Sequence, residues 1–103
     1  MNRDAAKMLE GVPEVLRPLL PEVWQALRDE LAGARAALIA GDASVARSQA
    51  HKLKGAAMRF GLAALSQDAS RAEQRVAAGD LPGAGEVLEA FTTLLSELER
   101  AGE

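Results

Sequence analysis

His51 is the only histidine of the 103-residue chain, and the residues around it suit the chemistry of phosphoryl transfer. On a helix, residues three and four positions further along share its face, and these are Lys54 and Gly55. A neutral imidazole is a nucleophile, and a neighbouring ammonium group binds phosphoryl oxygens. Glycine inside a helix costs about 1 kcal/mol relative to alanine. We therefore interpret Gly55 as a gap that leaves the imidazole uncovered and lets another protein approach.

The basic residues of the chain are concentrated around this histidine. The formal net charge is -3, yet residues 43–60 contain four basic residues and no acidic one, whereas residues 1–42 and 61–103 carry net charges of -2 and -5. The three cations besides Lys54 in this stretch are Arg47, Lys52 and Arg59. A positive surface of this kind predicts an anionic, phosphorylated ligand.

Several classes of chemistry are excluded by residues that the chain lacks. Without cysteine it has no thiolate nucleophile, disulfide or cysteine-rich zinc site, and one histidine cannot build a multi-histidine metal site. It also shows no P-loop, no glycine-rich nucleotide loop and no set of metal-binding Asp and Asn residues. We expect a phosphocarrier that accepts a phosphoryl group but cannot take one from ATP. It is not expected to be an enzyme or to hold a cofactor or metal of its own.

The elements that position His51 are predicted to be helices. The chain has 22 alanines and few β-branched residues, which favours helix over sheet. The segments Ala40-Gly41-Asp42 and Ala78-Gly79-Asp80 each combine a helix-ending glycine with an aspartate that can cap the next helix. Gly83 and Gly85 leave the start of the last helix open. Helices are predicted over residues 3–10, 13–20, 21–40, 43–60, 62–78 and 82–100.

Apolar residues at spacings of three and four give each of the four longer helices one buried face. We expect these positions, together with Trp24, to form the core of an all-α, antiparallel up-down-up-down four-helix bundle with one or two short extra N-terminal helices. The predicted core positions are Val23, Leu27, Leu31, Ala34, Leu38, Ala46, Ala50, Leu53, Ala57, Phe60, Leu62, Leu65, Ala69, Ala72, Val76, Val87 or Leu88, Phe91, Leu95 and Leu98.

The segment that contains His51 resembles the signature of histidine-containing phosphotransfer (HPt) domains, roughly A-H-x-L-K-G-[SA]-[SA]-x-x-x-G. Every fixed position matches, and the similarity extends over residues ~20–100. It implies one domain over residues 1–103, with a helical cap over about 1–20 and a four-helix bundle over about 21–101. The matching residues are Ala50-His51-Lys52-Leu53-Lys54-Gly55-Ala56-Ala57-Met58-Arg59-Phe60-Gly61-Leu62.

The resemblance implies a role for each matching position. His51 would accept the phosphoryl group through Nε2, Lys54 would lie near the phosphoryl oxygens, and Gly55 would give the partner room. Gly61 would end the helix or let it pack closely on the next one. The family often has a Gln or Glu on the next helix that accepts a hydrogen bond from the other ring nitrogen. That position is Glu73, with Gln67 and Ser70 as alternatives.

The resemblance also implies a function. His51 would carry a phosphoryl group between aspartates of response-regulator receiver domains in a two-component phosphorelay, with Mg²⁺ supplied by the receiver and a hybrid sensor histidine kinase as a further partner. The phosphotransfer domain of chemotaxis-type kinases has a similar motif. An HPt-like bundle that binds receivers without being phosphorylated is the alternative, and it predicts binding unchanged by His51→Ala. A phosphatase would need a residue that positions water, for which Gln67 or Glu73 are the candidates.

The remaining expectations follow from what the sequence lacks. No signal peptide and no run of ~18–20 apolar residues is visible, so a cytoplasmic protein with no membrane contact is expected. The basic patch has no stacking aromatic residues, so nucleic acid is not an expected partner. Four apolar faces that can all be buried internally predict a monomer. The start at Met1 and the lack of a long linker favour a free-standing protein over a segment of a hybrid kinase.

Overall fold

A computed structural model describes residues 3–102, with side chains from Ala5 onward, as a chain of helices without strands. Met1, Asn2 and Glu103, which the predicted domain includes, lie outside the described residues. None of the described helices has both the length and the apolar character of a membrane span. The elements are α1 (Arg3–Leu9), a 3-10 helix (Glu14–Leu19), α2 (Leu20–Ile39), α3 (Ala43–Arg59), α4 (Ala63–Ala77) and α5 (Leu81–Ala101).

Helices α2 to α5 form the bundle. Each packs against the next along the chain, and α5 also packs against α2, which closes the arrangement. Since the turns between them are short, consecutive helices run antiparallel. The short α1 lies on α5, and the 3-10 helix lies on α2. The predicted all-α bundle with two extra N-terminal helices is confirmed.

The core consists of the inward faces of these helices. Trp24 is buried, and the two alternative positions in the first half of α5, Val87 and Leu88, are both buried. Of the remaining predicted positions, all are buried except Leu38 and Phe60, which are half-buried and pack against the edge of the core. These two residues lie in the last turn of α2 and just after α3, where a helix leaves the bundle and the apolar face is no longer covered from all sides.

Three helices end in the same way, with a glycine in the left-handed region of the backbone. In each case the next residue donates its N–H to the carbonyl five positions earlier, which satisfies a carbonyl that the helix leaves unpaired. The turns are therefore short and fixed in direction, as bundle packing requires. The glycines are Gly41, Gly61 and Gly79, with φ of 71°, 75° and 80°.

Aspartates begin α3 and α5. The Asp42 carboxylate accepts the Val45 N–H at 3.1 Å, and the Asp80 carboxylate accepts the Gly83 N–H at 2.9 Å. A Cβ at Gly83 would overlap the Asp80 carboxylate, so this glycine is part of the cap. The last helix therefore starts at Leu81, and Gly83 belongs to its first turn.

Gly61 combines a turn conformation with a close backbone contact. A Cβ added at Gly61 would overlap the carbonyl of Gly11, and one added at Gly11 would lie 2.7 Å from the Gly61 carbonyl oxygen. Gly11 follows α1, so the N-terminal segment presses directly on the end of α3. Of the two roles expected for Gly61, it ends α3, and the close packing that it allows is with Gly11 rather than with α4.

We expect Gly61→Ala to destabilise the protein more than Gly41→Ala. Both changes place a side chain at positive φ, which costs about 1–2 kcal/mol. Only the Gly61 change also forces the Gly11 backbone away, since a Cβ at Gly41 meets nothing within 4 Å. Overpacking adds about 1–3 kcal/mol. Urea unfolding of the two variants measures the difference, and equal losses would show that the Gly11–Gly61 contact gives way without cost.

Candidate functional site

The rotation of α3 in the bundle brings His51 to the surface. Ala50 and Leu53 are 1% and 0% exposed, which fixes the inward face of the helix. His51 is the next position after Ala50 and is turned about 100° from it. Its side chain is 69% exposed. The ring therefore stands on the surface, on a helix whose orientation is set by the core.

Glu73 of α4 holds the His51 ring from one side. The distance between His51 Nδ1 and Glu73 Oε2 is 3.1 Å, and the Glu73 side chain is 19% exposed. A neutral imidazole has one N–H and one free nitrogen, and a carboxylate only accepts hydrogen bonds. When Nδ1–H donates to Glu73, Nε2 is the unprotonated nitrogen. The structure thus brings together two of the predicted site residues and leaves Nε2 free for a reaction.

Lys54 joins the same cluster through its ammonium group. Lys54 Nζ lies 3.9 Å from Glu73 Oε1, so the two oxygens of one carboxylate face the histidine and the lysine. The Lys54 side chain is 33% exposed. The sequence predicts that Lys54 lies beside the phosphoryl oxygens; in the unphosphorylated protein its partner is Glu73.

The surface at Gly55 is open. A Cβ added there would meet only Arg59 Nη1, at 3.7 Å, which is an ordinary van der Waals contact. No residue of the bundle therefore requires glycine at this position. The same holds for Gly85 on α5, so open space alone does not explain the glycine. At Gly55 the open surface lies one turn from His51, which is consistent with the expected approach of another protein.

A shallow groove between α3 and α4 contains the His51 ring. It extends from His51 toward the start of α3, and Glu73 is among the residues on its α4 side. Ser44 and Ser48 line it too, and neither is among the site residues predicted from the sequence. Their spacing of seven and three residues before His51 was the available signal, because both positions share its face. The lining residues are Ala43, Ser44, Arg47, Ser48, His51, Lys52, Glu73, Val76 and Ala77.

Neither of the two alternatives to Glu73 forms a hydrogen bond with the ring. Gln67 lines a separate depression near the end of α3, together with Met58 and Gly61. Ser70 is half-buried and makes no hydrogen bond to His51 within residues 3–102. Of the three candidates, Glu73 is the one that the packing of α4 on α3 places beside the imidazole.

The arginines of α4 have other partners. Arg71 contacts Asp68 at 3.1 Å, and Arg75 contacts Asp80 at 3.1 Å. The hydrogen bond from the Gly83 N–H, together with that from Arg75, lowers the pKa of the Asp80 carboxyl, while burial raises the pKa of Asp68. Glu73 therefore does not share its carboxylate with either arginine.

The cations of α3 other than Lys54 have no such partners. Arg47, Lys52 and Arg59 are exposed, and none of them forms an ion pair with any residue in the described range. Exposed, unpaired positive charges attract an anionic partner over a longer range than neutralised pairs. The surface around His51 is thus positively charged and free to bind.

A comparison with known protein families agrees with this geometry. A family model of the Hpt domain matches residues 18–101, which include α2 to α5 and all the site residues described above. No curated protein and no solved structure matches the chain. Members of the matched family act as phosphocarriers that interact with response-regulator receivers. The chain therefore belongs to the Hpt domain family, whose general role is histidine phosphotransfer in phosphorelays.

Proposed function

We propose that the protein carries a phosphoryl group on Nε2 of His51, taken from the aspartyl phosphate of one receiver domain and passed to the aspartate of another. The observation that carries this proposal is the exposed imidazole whose Nδ1 is held by Glu73 at 3.1 Å. The family match supports a role in phosphorelays in general. The assignment to His51 is supported by the site, and the transfer between two receivers by the resemblance of the sequence around His51 to phosphotransfer domains.

The transfer step exchanges one bond to phosphorus for another. The lone pair of His51 Nε2 attacks the phosphorus in line, the P–O bond to the receiver's aspartate breaks, and the aspartate leaves as a carboxylate. Nδ1 keeps its proton throughout. The ring gains positive charge as the P–N bond forms, and the Glu73 carboxylate stabilises that charge. The reverse step uses the same contacts, so the group can leave to a second receiver.

The partner supplies the groups that this chain lacks. The described residues contain no cluster of three or more His, Asp or Glu side chains that could hold a metal ion. We assign the Mg²⁺ to the acidic pocket of the receiver, which docks over the basic residues of α3. Exposed charges mainly raise the rate of encounter. Exposed apolar side chains of α3, such as Met58, which lies two turns after His51 and is 62% exposed, contribute contact area.

The proposal is tested by following a label through both transfers. Receiver domains carrying a radiolabelled aspartyl phosphate are mixed with the protein, and the protein is expected to acquire an acid-labile, alkali-stable label, as a phosphohistidine does. Adding a second, unlabelled receiver should move the label onward. A protein that binds receivers but never acquires label would instead be a non-phosphorylated interaction module.

We expect Glu73→Ala to slow phosphoryl uptake by about 10-fold or more, the value of one hydrogen bond to a charged group. Glu73→Gln keeps an acceptor for Nδ1–H but removes the negative charge, so its rate should fall between those of Glu73→Ala and the wild type. Single-turnover measurements of label uptake give these rates. Gln67→Ala is the matched control on α4, because Gln67 lines a separate depression and forms no hydrogen bond with the ring. If Gln67→Ala were the slower variant, the role of Glu73 would be wrong.

A further inference from the structure

The His51 side chain is expected to lean toward the start of α3, whereas Lys54, the predicted partner of the phosphoryl group, follows His51 in the helix. Side chains on a helix lean toward its N-terminus, so a residue covers the turn that precedes it. The lining of the groove around the His51 ring includes Arg47 and Ser48, four and three residues earlier; after His51 it includes Lys52 of α3 but neither Lys54 nor Gly55. A phosphoryl group on Nε2 that extends into this groove meets the preceding turn of α3.

The charges around the ring also favour a phosphate partner in the preceding turn of α3. Lys54 and Glu73 are paired at 3.9 Å, so their charges largely cancel. Arg47 is exposed and has no ion-pair partner among residues 3–102. A phosphoryl group brings about two negative charges and three acceptor oxygens. Among the described residues, two unpaired cations line the groove, Arg47 and Lys52. Arg47, four residues before His51, shares its face of the helix, whereas Lys52 is the next residue and is turned about 100° away.

Arginine also has the geometry for this ligand. Its planar guanidinium group presents two parallel N–H donors that fit a pair of phosphoryl oxygens, which an ammonium group cannot do. Residues four apart on a helix have Cβ atoms about 5–6 Å apart. The long Arg47 side chain can thus reach the group on the imidazole, and Ser48 lines the groove on the same helix.

We propose that Arg47 is the phosphoryl-binding residue of this site, with its guanidinium group donating hydrogen bonds to the oxygens of the PO₃ group on His51 Nε2. This inference rests on the proposed function. The contact forms only after the P–O bond of the aspartyl phosphate has begun to break and the P–N bond to form. It therefore stabilises phosphorylated His51 rather than the complex with the receiver.

Docking of the receiver and binding of the phosphoryl group have different effects on the transfer equilibrium. A residue that only attracts or docks the receiver changes the forward and reverse transfer rates by the same factor, so the equilibrium between the two phosphorylated proteins is unaffected. A residue that binds the phosphoryl group on His51 shifts that equilibrium. We expect Arg47→Gln to reduce the equilibrium ratio of phosphorylated protein to phosphorylated receiver by about 10-fold, the worth of one charge-assisted hydrogen bond.

The test measures the equilibrium distribution of label between the protein and a receiver that exchanges with it, for the wild type and two variants. Arg59→Gln makes the same charge change on the same helix, but Arg59 does not line the groove. It should slow transfer in both directions and leave the equilibrium ratio as in the wild type. Arg100→Gln, at the end of α5, controls for the net charge. Thermal unfolding checks that each exposed substitution leaves the fold intact.

The outcomes separate this inference from the proposed function. A 10-fold shift for Arg47→Gln alone supports the phosphoryl contact. A labelled wild type together with an unshifted Arg47→Gln, or an equal shift for Arg59→Gln, overturns the role of Arg47 and leaves the proposed function standing. A wild type that takes no label from any receiver overturns the proposed function, and the inference falls with it.

Discussion

The His51→Gln variant is expected to acquire no label from a phosphorylated receiver under conditions in which the wild type is fully labelled. Glutamine has no basic nitrogen lone pair, because its amide nitrogen is conjugated with the carbonyl, so no P–N bond can form at position 51. The measurement is the amount of acid-labile, alkali-stable label on each protein after exposure to the same labelled receiver. Uptake should fall to background.

Folding and docking should survive this substitution. The His51 side chain is 69% exposed and contributes nothing to the buried core, so the variant should unfold at about the same urea concentration and still bind a receiver. Lys52→Gln, a change at the neighbouring exposed position, is the control for a local disturbance of α3; it should still acquire label, although more slowly, because Lys52 belongs to the basic docking surface. Equal label on the wild type and on His51→Gln would place the phosphoryl group on another residue.

The Gly55→Glu variant should lose transfer while keeping its fold. A glutamate there projects a bulky carboxylate from the open surface one turn from His51, where the acidic pocket of the receiver must approach. Like charges opposed at an interface cost several kcal/mol, so we expect the transfer rate at low receiver concentration to fall about 100-fold. Single-turnover rates measured over a range of receiver concentrations should show that the loss is in affinity.

The Gly55→Glu variant should be more stable than the wild type, although its transfer rate is lower. Gly55 lies inside α3, and a Cβ at this position meets only Arg59 at 3.7 Å. Replacing a helix-interior glycine with a better helix former gains up to about 1 kcal/mol. Gly85→Glu is the matched control, because a Cβ at Gly85 on α5 meets nothing within 4 Å and the added charge is the same. Normal transfer by Gly55→Glu would contradict the close approach of the partner at this glycine.

The helices and their buried faces could be predicted because their signals are local. Turn glycines, capping aspartates and apolar spacing act over fewer than eight residues, and each of them specifies its element without reference to the rest of the bundle. The exposure of His51 also followed from local geometry, since its position next to Ala50 on α3 sets its angle to the core.

The choice of Glu73 as the partner of His51 required the structure. Gln67, Ser70 and Glu73 all lie on α4, and Gln67 and Glu73 are six residues apart, which corresponds to about 9 Å along the helix. Which of them lies beside the ring depends on how far α4 is shifted along α3. That shift results from the packing of the whole helix pair and from the length of the turn at Gly61, and no single residue reports it.

The contact between Gly11 and Gly61 likewise could not be predicted from the sequence. Each glycine has a local explanation, and nothing in the spacing of 50 residues indicates that their backbones touch. The same holds for the pair Arg28 and Glu99, which joins α2 to α5. Contacts of this kind arise only when the ends of the bundle have come together.

The backbone contact between Gly11 and Gly61 couples the substitutions that the N-terminal segment and the end of α3 can accept during evolution. Gly61 lies within residues 18–101, which match the Hpt family model, whereas Gly11 lies before them. With the N-terminal segment seated, neither position has room for a side chain. A lineage that keeps this arrangement must keep both glycines, and a change at either one becomes tolerable only after the other segment has moved. The N-terminal segment thus constrains which mutations can be inherited at the end of the helix that carries His51.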